Sequence, residues 1–351
     1  MRLERYIATT VLGGALAGLF VIVSLSFVFE FIDEADDIGR GGYDLASAML
    51  VVVLSMVQRA YEAFPMATLI GALVSLGALA ARSELTVMRA VGVSVGQIAR
   101  AVVAAGMVLA LLAAALGEWV APPANQLAQA MRAEAAGGGV GTTAGGFWAR
   151  DGDYRLRVER VVQPDLLAGV RAYEVREGRL QRIIQAPRAR FAQERWQLSE
   201  ATVTNLGQTP VVVLSGQSLA IGGALQPATL EVVVQAPETL AGRELLRYIG
   251  YLEGNDLDSG RYRLALWVKL ATPLATIVML LLTVPLVFGS PRGSGVGQQI
   301  FVGVLIGLAF FLFNRFLGNA GLVYGLPPAV SALAPTLVFF LLALLALRRV
   351  R

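Results

Sequence analysis

The fold is decided by residues 7–31, which read IATTVLGGALAGLFVIVSLSFVFEF. This run contains one charged residue, Glu30, and is longer than the roughly 20 apolar residues that a helix needs to cross a bilayer. It also exceeds the apolar region of a signal peptide and lacks a small-residue cleavage exit. We therefore predict that it stays in the protein as a membrane-spanning helix.

Five more apolar runs have a comparable length: residues 63–81, 101–117, 264–288, 300–317 and 329–347. The 351 residues are 56% hydrophobic and only 15% charged, and the mean hydropathy is +0.64. These values exclude an ordinary soluble protein and predict six spanning helices. The shorter apolar run 45–57 corresponds to roughly 20 Å of helix. We interpret it as an interfacial or bundle-packed segment, with Pro65 kinking the entry to the second span.

The placement of arginine predicts the orientation. One set of short flanks carries Arg2, Arg5, Arg82, Arg89, Arg100, Arg292, Arg348, Arg349 and Arg351. The outer end of the first span is instead acidic, with Glu30, Asp33, Glu34, Asp36 and Asp37. Because short cytoplasmic loops are enriched in Arg and Lys, we expect the arginine-rich side and both termini to be cytoplasmic.

A polar block, residues 121–263, separates the third and fourth spans. Short stretches alternate with a period of two, for example Leu156 and Val158 against Arg155 and Arg157, and this alternation predicts β-strands. The spacing of the turns favours a sandwich or jelly roll over βαβ units. We therefore expect three parts: spans one to three in 1–120, an extracytoplasmic all-β, jellyroll-like domain with a short helix at 240–252 in 121–263, and spans four to six in 264–351.

The composition excludes most catalytic chemistry. The chain has no Cys and no His, which removes the usual nucleophiles, imidazole bases and nearly every zinc or haem ligand set. The only lysine, Lys269, follows no glycine-rich loop, so a nucleotide-hydrolysing P-loop is excluded. We expect no catalytic residue, no metal site and no cofactor bound by this chain.

The inner loop 82–92 predicts a short helix with Ser83 as N-cap and Gly92 as stop. One interpretation is a connector on the membrane surface. The other is a coupling helix that docks in a groove of a cytoplasmic ATPase, with Leu85 and Met88 as apolar anchors. The residues assigned to this coupling site are Arg82, Ser83, Glu84, Leu85, Met88 and Arg89.

Two arginines are candidates for recognising an anionic lipid headgroup, because a guanidinium can hold phosphate in a bidentate way. Arg315 lies near the end of an apolar run, where it either snorkels to the headgroups or meets a ligand. Arg132 follows the third span and is otherwise a surface charge. The apolar side chains proposed for lipid contact, for which helix packing is the alternative, are Phe27, Phe31, Phe64, Met66 and Phe311.

Several motifs occur in an order typical of one family. They are the inner loop Arg82-Ser83-Glu84-Leu85, the run Gly117-Glu118-Trp119-Val120-Ala121-Pro122 followed by Arg132, and Val323-Tyr324-Gly325-Leu326-Pro327-Pro328. With the six-span layout, they make the chain similar to the lipopolysaccharide export permeases of the LptF/LptG family. The last two motifs resemble the LptG branch more than LptF.

The resemblance implies a permease half of an ABC-type extractor in the inner membrane of a Gram-negative cell envelope. Its implied partners are an LptF-like permease, an LptB-like ATPase dimer that uses ATP, and an LptC-like single-span jellyroll protein, with no nucleic acid. It would move lipopolysaccharide from the outer leaflet to a periplasmic β-jellyroll bridge. Glu84 and its helix become the ATPase contact, and Arg132 becomes a lipid-phosphate contact.

One departure from the family separates the remaining hypotheses. The outer end of the first span is lysine-rich in LptG proteins but acidic here, so Arg40, Arg132 and Arg315, a bridging divalent ion, or the partner permease would supply the positive charge. The alternative function is a membrane-anchored scaffold whose β domain binds partners without transport. An intramembrane enzyme is disfavoured because acids are not paired inside the spans.

Overall fold

The computed structural model describes residues 2–39, 43–135, 147–163, 165–176, 179–206, 212–221, 236–255, 257–289 and 296–350. Arg40, Arg292 and Arg351 lie outside these ranges. The chain forms two compact units. The first contains Met1–Asp33, Val52–Ala124 and Gly260–Arg351, and the second contains Glu34–Val51 and Asn125–Ser259.

The first unit is built from long apolar helices. In the described ranges, six helices are long and apolar enough to cross a membrane, which confirms the predicted number. The α-helices of both units, in the described ranges, are α1 (Arg2–Ala35), α2 (Leu45–Ala81), the short α3 (Glu84–Ala90), α4 (Val95–Ala115), α5 (Ala121–Ala135), α6 (Gly242–Gly254), α7 (Gly260–Gly289), α8 (Val296–Tyr324) and α9 (Pro328–Val350). Helix α6 and most of α5 belong to the second unit. A π turn, Leu116–Val120, joins α4 to α5.

Helix α2 corrects one prediction, because run 45–57 is not a separate segment. The helix continues from Leu45 through Pro65 to Ala81. Its start is capped by Asp44, whose Oδ1 accepts from the Ser47 N–H at 2.9 Å. Hydrogen bonds from the Ser47 side chain and from its backbone lower the pKa of the Asp44 carboxyl. Gln58 and Glu62, which follow run 45–57, do not end the helix. The Gln58 amide donates a hydrogen bond to the Glu62 carboxylate one turn later at 2.8 Å.

The core of the first unit is an apolar cluster contributed mainly by α2, α4 and α7, with Leu69, Ile98, Leu109 and Leu280 fully buried. Helices α1 and α2 approach closely through glycines. A Cβ placed on Gly71 would lie 2.1 Å from the Gly14 carbonyl oxygen, so this contact tolerates no side chain. Small residues commonly permit such close packing of spanning helices.

The second unit contains an antiparallel sheet, which confirms the predicted all-β domain. Its strands are β1 (Phe147–Asp151), β2 (Tyr154–Gln163), β3 (Leu166–Arg176), β4 (Arg179–Ala192), β5 (Arg195–Asn205) and β6 (Val212–Ile221). Each strand pairs with its neighbours in sequence, giving the order β1 to β6. Alternate side chains, including Leu156, Val158 and Trp196, form its buried face.

One carboxylate is buried in that sheet. Glu174 on β3 is 1% exposed and pairs with Arg182 and with Arg176, whose Nη2 lies 2.8 Å from Oε1. The contact with Glu174 raises the pKa of Arg182. Where a helix was expected at 240–252, α6 buries Leu245, Tyr248, Ile249 and Leu252 along one stripe.

Candidate functional site

Helix α3 is the inner-loop helix that the sequence predicted, shortened to Glu84–Ala90. Ser83 precedes it but does not cap it, because its backbone is left-handed (φ 60°) and its side chain makes no capping hydrogen bond. The end agrees with the prediction. Gly92 has φ +95°, and the Val93 and Gly92 N–H groups donate to the Met88 and Arg89 carbonyls at 3.0 Å each, which is a Schellman motif.

The apolar face of α3 packs on the protein's own helices. Leu85 and Met88 are only 2% and 7% exposed and belong to the core of the first unit. This burial corrects their expected placement, because a side chain in the core is not available to fill a partner's groove. The apolar surface that α3 and its end do expose comes from Val87 and Val91, which are 61% and 76% exposed.

Two polar contacts fix α3 to other helices of the same unit. The Tyr6 hydroxyl of α1 donates to Glu84 Oε2 at 2.8 Å. The Arg89 guanidinium carbon lies 5.8 Å from the ring centre of Phe288 on α7, within cation–π range. Arg82 and Ser83 remain exposed. Thus α3 is joined to α1, to α7 and to the core between them.

The acidic outer end of α1 is partly neutralised by arginine. In the first unit, Arg59 of α2 donates to Glu30 Oε2 from Nη2 at 2.9 Å and from Nε at 3.1 Å. Arg59 also lies 3.8 Å from Glu62. The sequence does not predict this pair, because its members are 29 residues apart and no local pattern links them.

In the second unit, Glu34 has two partners. Arg132 of α5 donates to it from Nη2 at 2.6 Å and from Nε at 3.1 Å, and the Tyr43 hydroxyl donates to Oε1 at 2.6 Å. Glu34 is 7% exposed. Burial and the bond to Glu34 raise the pKa of Tyr43 far above its usual value, so the phenol stays protonated as a donor. Arg132, the candidate phosphate contact, is therefore already engaged with a carboxylate.

The other candidate lipid contacts fall into two groups. Arg315 on α8 is exposed and makes no hydrogen bond or ion pair with any residue in the described ranges. Phe311, one turn earlier, is 47% exposed, and Phe27 stacks on Phe31 with ring centres 6.2 Å apart. Phe64 is buried in the core of the first unit. The Met66 side chain lies against Gly307 of α8, where a Cβ on the glycine would be only 2.8 Å from Met66 Cγ. For these two residues the structure therefore shows helix packing.

A polar cluster inside the bundle was not predicted as a site. Lys269 of α7, whose side chain is 11% exposed, donates to the Gly117 carbonyl at 2.6 Å and lies 3.6 Å from Glu118 Oε2. Its ammonium is also 6.0 Å from the ring centre of Tyr61. The available signal was the lone lysine within an apolar run, which is costly in a bilayer unless it is paired.

Nothing in the described ranges groups three or more acidic side chains as a metal site. The arrangement instead joins the short helix α3 to α1 and α7 and leaves Arg315 and Phe311 exposed on α8. A multi-pass bundle with a β domain inserted between its third and fourth spans is the architecture of a membrane permease of the lipid-export type.

Comparison with known proteins agrees with this class. The family model described as "Lipopolysaccharide export system permease LptF/LptG" matches residues 5–349. The chain is 38% identical over 355 residues to the lipopolysaccharide export system permease protein LptG of Escherichia coli K12, covering 99% of this chain and 98% of that protein. It is 32% identical over 353 residues to LptG of Haemophilus influenzae, covering 99% of both. The chain belongs to the LptF/LptG family of lipopolysaccharide export permeases.

Proposed function

We propose that this chain is the LptG-type half of an ATP-driven lipopolysaccharide extractor. It would pair with an LptF-like permease and an LptC-like single-span jellyroll protein, and an LptB-like ATPase dimer would bind and hydrolyse the ATP. The chain itself binds no cofactor and catalyses no reaction in this proposal. Its cargo is taken from the outer leaflet of the inner membrane and passed to a periplasmic β-jellyroll bridge.

The observation that carries the proposal is the way in which α3 is held. Leu85 and Met88 are buried, Glu84 bonds to Tyr6, and Arg89 lies over Phe288. A partner that grips the exposed side of α3 at Val87 and Val91 would therefore pull on α1 and α7 through short contacts. This is the coupling expected when a separate ATPase drives a permease that lacks a nucleotide site.

The distribution of exposed surface supports a second permease. In the most apolar stretch of each helix, only 11% of the residues of α1 and 17% of those of α8 are buried, against 67% of those of α7. Helices with such open sides pack against another protein chain or against lipid. We assign these faces to an LptF-like partner and to the cargo, with Arg315 and Phe311 of α8 on the lipid path.

The proposed orientation follows from charge. Exposed arginines, among them Arg82, Arg89, Arg100 and Arg348, lie near one set of ends of the long helices in the first unit, and arginine is enriched on the cytoplasmic side of bacterial membranes. Both termini and α3 are accordingly placed in the cytoplasm and the β domain in the periplasm. In that orientation α3 faces a cytoplasmic ATPase.

The test is co-purification of the tagged full-length chain from native membranes. We expect an ATPase, a second permease of the same family and bound lipopolysaccharide to be recovered together. Recovery of periplasmic partners alone, without ATPase or lipid, would instead support a membrane-anchored scaffold. A Val87→Asp variant, which changes an exposed position on α3, should lower the recovery of the ATPase.

A further inference from the structure

A carbonyl and a carboxylate from a single turn hold the lone lysine of the chain inside the first unit. Lys269 donates to the Gly117 carbonyl at 2.6 Å, and the Glu118 carboxylate lies 3.6 Å away. Both partners belong to the π turn Leu116–Val120. Because α7 is long and apolar enough to cross a membrane, an ammonium at this point needs polar partners to compensate for its desolvation.

The hydrogen bonding of the turn shows why the Gly117 carbonyl needs a donor. The Ala121 N–H bonds to the Leu116 carbonyl, five residues earlier. It therefore does not bond to the Gly117 carbonyl, which would be its partner in an α-helix. The next residue, Pro122, has no N–H to donate. The backbone pattern thus leaves the Gly117 carbonyl without a main-chain donor, and the Lys269 ammonium takes that place.

An α-helical turn would bond the same backbone differently, and it would leave the Glu118 and Trp119 carbonyls without main-chain donors because Pro122 and Pro123 have no N–H. The Ala121 N–H would then bond to the Gly117 carbonyl and the Val120 N–H to that of Leu116. Lys269 would no longer be required at the carbonyl, and the Glu118 carboxylate beside it would remain as its partner. Because a π turn holds one extra residue, conversion to α would rotate the following helix by about 100°.

A second contact constrains the π turn at Gly117. A Cβ on Gly117 would lie 2.5 Å from a ring carbon of Tyr61, which is 4% exposed. No side chain larger than hydrogen fits at residue 117 while the ring stays in this position. The glycine therefore allows the observed close approach of the π turn to the Tyr61 ring.

We propose that Lys269 is a positioning residue that holds the π turn Leu116–Val120, and that withdrawal of its ammonium from the Gly117 carbonyl converts the turn to α and shifts the following helix by one residue. Such an element has two discrete arrangements, as conformational switches require. The switch belongs to the helix itself and does not depend on the identity of cargo or ATPase.

The chain contains no cysteine, so single cysteines can report the register. Val120 is 47% exposed and Ala121 is fully buried. In the purified complex, Val120→Cys should react with a maleimide faster than Ala121→Cys. After conversion to α, residue 120 takes the buried place of residue 121, so in a Lys269→Met background the order of the two rates should reverse.

Three further variants make the test specific. Lys269→Gln keeps an N–H donor and should retain the original order. Thr276→Val is the control on the same helix, because its hydroxyl is buried but bonds only within α7, to the Thr272 carbonyl at 3.0 Å; it should not change the order. Gly117→Ala, which meets the Tyr61 ring while leaving Lys269 intact, should reverse the order as Lys269→Met does.

An unchanged order in both Lys269→Met and Gly117→Ala would overturn the proposal. If a substitution at Lys269 or Gly117 prevents assembly, the chains that carry only the reporter cysteine, Val120→Cys or Ala121→Cys, still show which register the turn has at rest. Protection of residue 120 rather than residue 121 in those chains would show an α turn at rest and would equally overturn it.

Discussion

The Tyr6 hydroxyl donates a 2.8 Å hydrogen bond to Glu84 Oε2, so the first spanning helix and the inner-loop helix are directly joined. The two residues are 78 positions apart in the chain. In the proposed coupling, this bond carries motion of α3 to α1, while the contact of Arg89 with Phe288 carries it to α7.

Removing the Tyr6 hydroxyl should weaken coupling without removing the ATPase. We expect Tyr6→Phe to leave ATPase co-purification unchanged but to lower lipopolysaccharide-stimulated ATP hydrolysis by about 5-fold, the lower end of typical coupling effects. The measurement is hydrolysis by the complex in proteoliposomes, with and without cargo. The control is Thr9→Val, since the Thr9 hydroxyl bonds only to carbonyls of its own helix; an equal loss in both variants would contradict a specific role for the Tyr6–Glu84 bond.

The two apolar sides of α3 should respond differently to a carboxylate. Met88→Asp places a charge in the core and should lower the free energy of unfolding by at least about 3 kcal/mol. Val87→Asp, on the exposed side, should change stability by no more than about 0.5 kcal/mol yet reduce ATPase binding. Thermal unfolding and co-purification of both variants check this. Full ATPase recovery with Val87→Asp would make α3 a connector only.

Arg132 should matter for the stability of the second unit. Arg132→Ala leaves the buried Glu34 carboxylate without its guanidinium, and we expect a loss of about 2 kcal/mol. This figure is below that of a fully buried pair because the Arg132 side chain is 40% exposed. Adding Glu34→Gln should restore most of the thermal stability, since it removes the unpaired charge. If the double variant were no more stable than Arg132→Ala, the pair would not be what stabilises this end.

Arg315 should matter for the cargo. It is exposed, and losing a charge-assisted contact to phosphate costs about 1.5–3 kcal/mol. We expect Arg315→Ala to lower photocrosslinking to lipopolysaccharide and cargo-stimulated ATP hydrolysis without lowering thermal stability, and Arg315→Lys to retain part of both. Asn319→Ala, one turn later on α8 and also exposed, is the matched control.

A chelator separates this role from a bridging cation. If a divalent ion links Glu30 or Asp33 to the lipid phosphates, chelation should reproduce the loss with the unchanged chain, while Arg315→Ala alone has little effect. If neither chelation nor Arg315→Ala has an effect, this subunit does not recognise the lipid phosphates.

The sheet should offer an edge to another β domain. Among the described strands, β1 and β6 are the outermost, and β6 exposes Val213 and Leu214 at 58% and 45%. Exposed strand edges pair readily with another strand. We expect photocrosslinkers at these two positions to capture a jellyroll partner, whereas Ala186, buried within the sheet on β4, should capture none. Crosslinks only within this chain would contradict an open edge.

Local pattern was sufficient for the elements. Apolar runs long enough to cross a bilayer predicted the six spans, period-two alternation at Leu156 and Val158 predicted the sheet, and Gly92 predicted the end of α3. Run 45–57 was misread because Gln58 and Glu62 suggested a surface, whereas in the helix these side chains bond to each other.

Tertiary partners were beyond the reach of pattern. A short amphipathic helix has one apolar stripe, and the sequence alone does not say whether Leu85 and Met88 face their own bundle or a partner. The Arg132–Glu34 and Lys269–Gly117 contacts join residues 98 and 152 positions apart. The last of these also involves the π turn Leu116–Val120, which no periodic pattern in the sequence predicts.

Reconstituted transport tests the central claim most directly. Proteoliposomes would contain the full-length chain with its co-purified permease, ATPase and single-span partner, lipopolysaccharide in the bilayer, and a soluble β-jellyroll acceptor that carries a photocrosslinker. The account predicts lipopolysaccharide–acceptor crosslinks that accumulate only with hydrolysable ATP and that fall with Tyr6→Phe while the ATPase stays bound. Crosslinks that form equally without ATP, or none at all from a fully assembled complex, would contradict it.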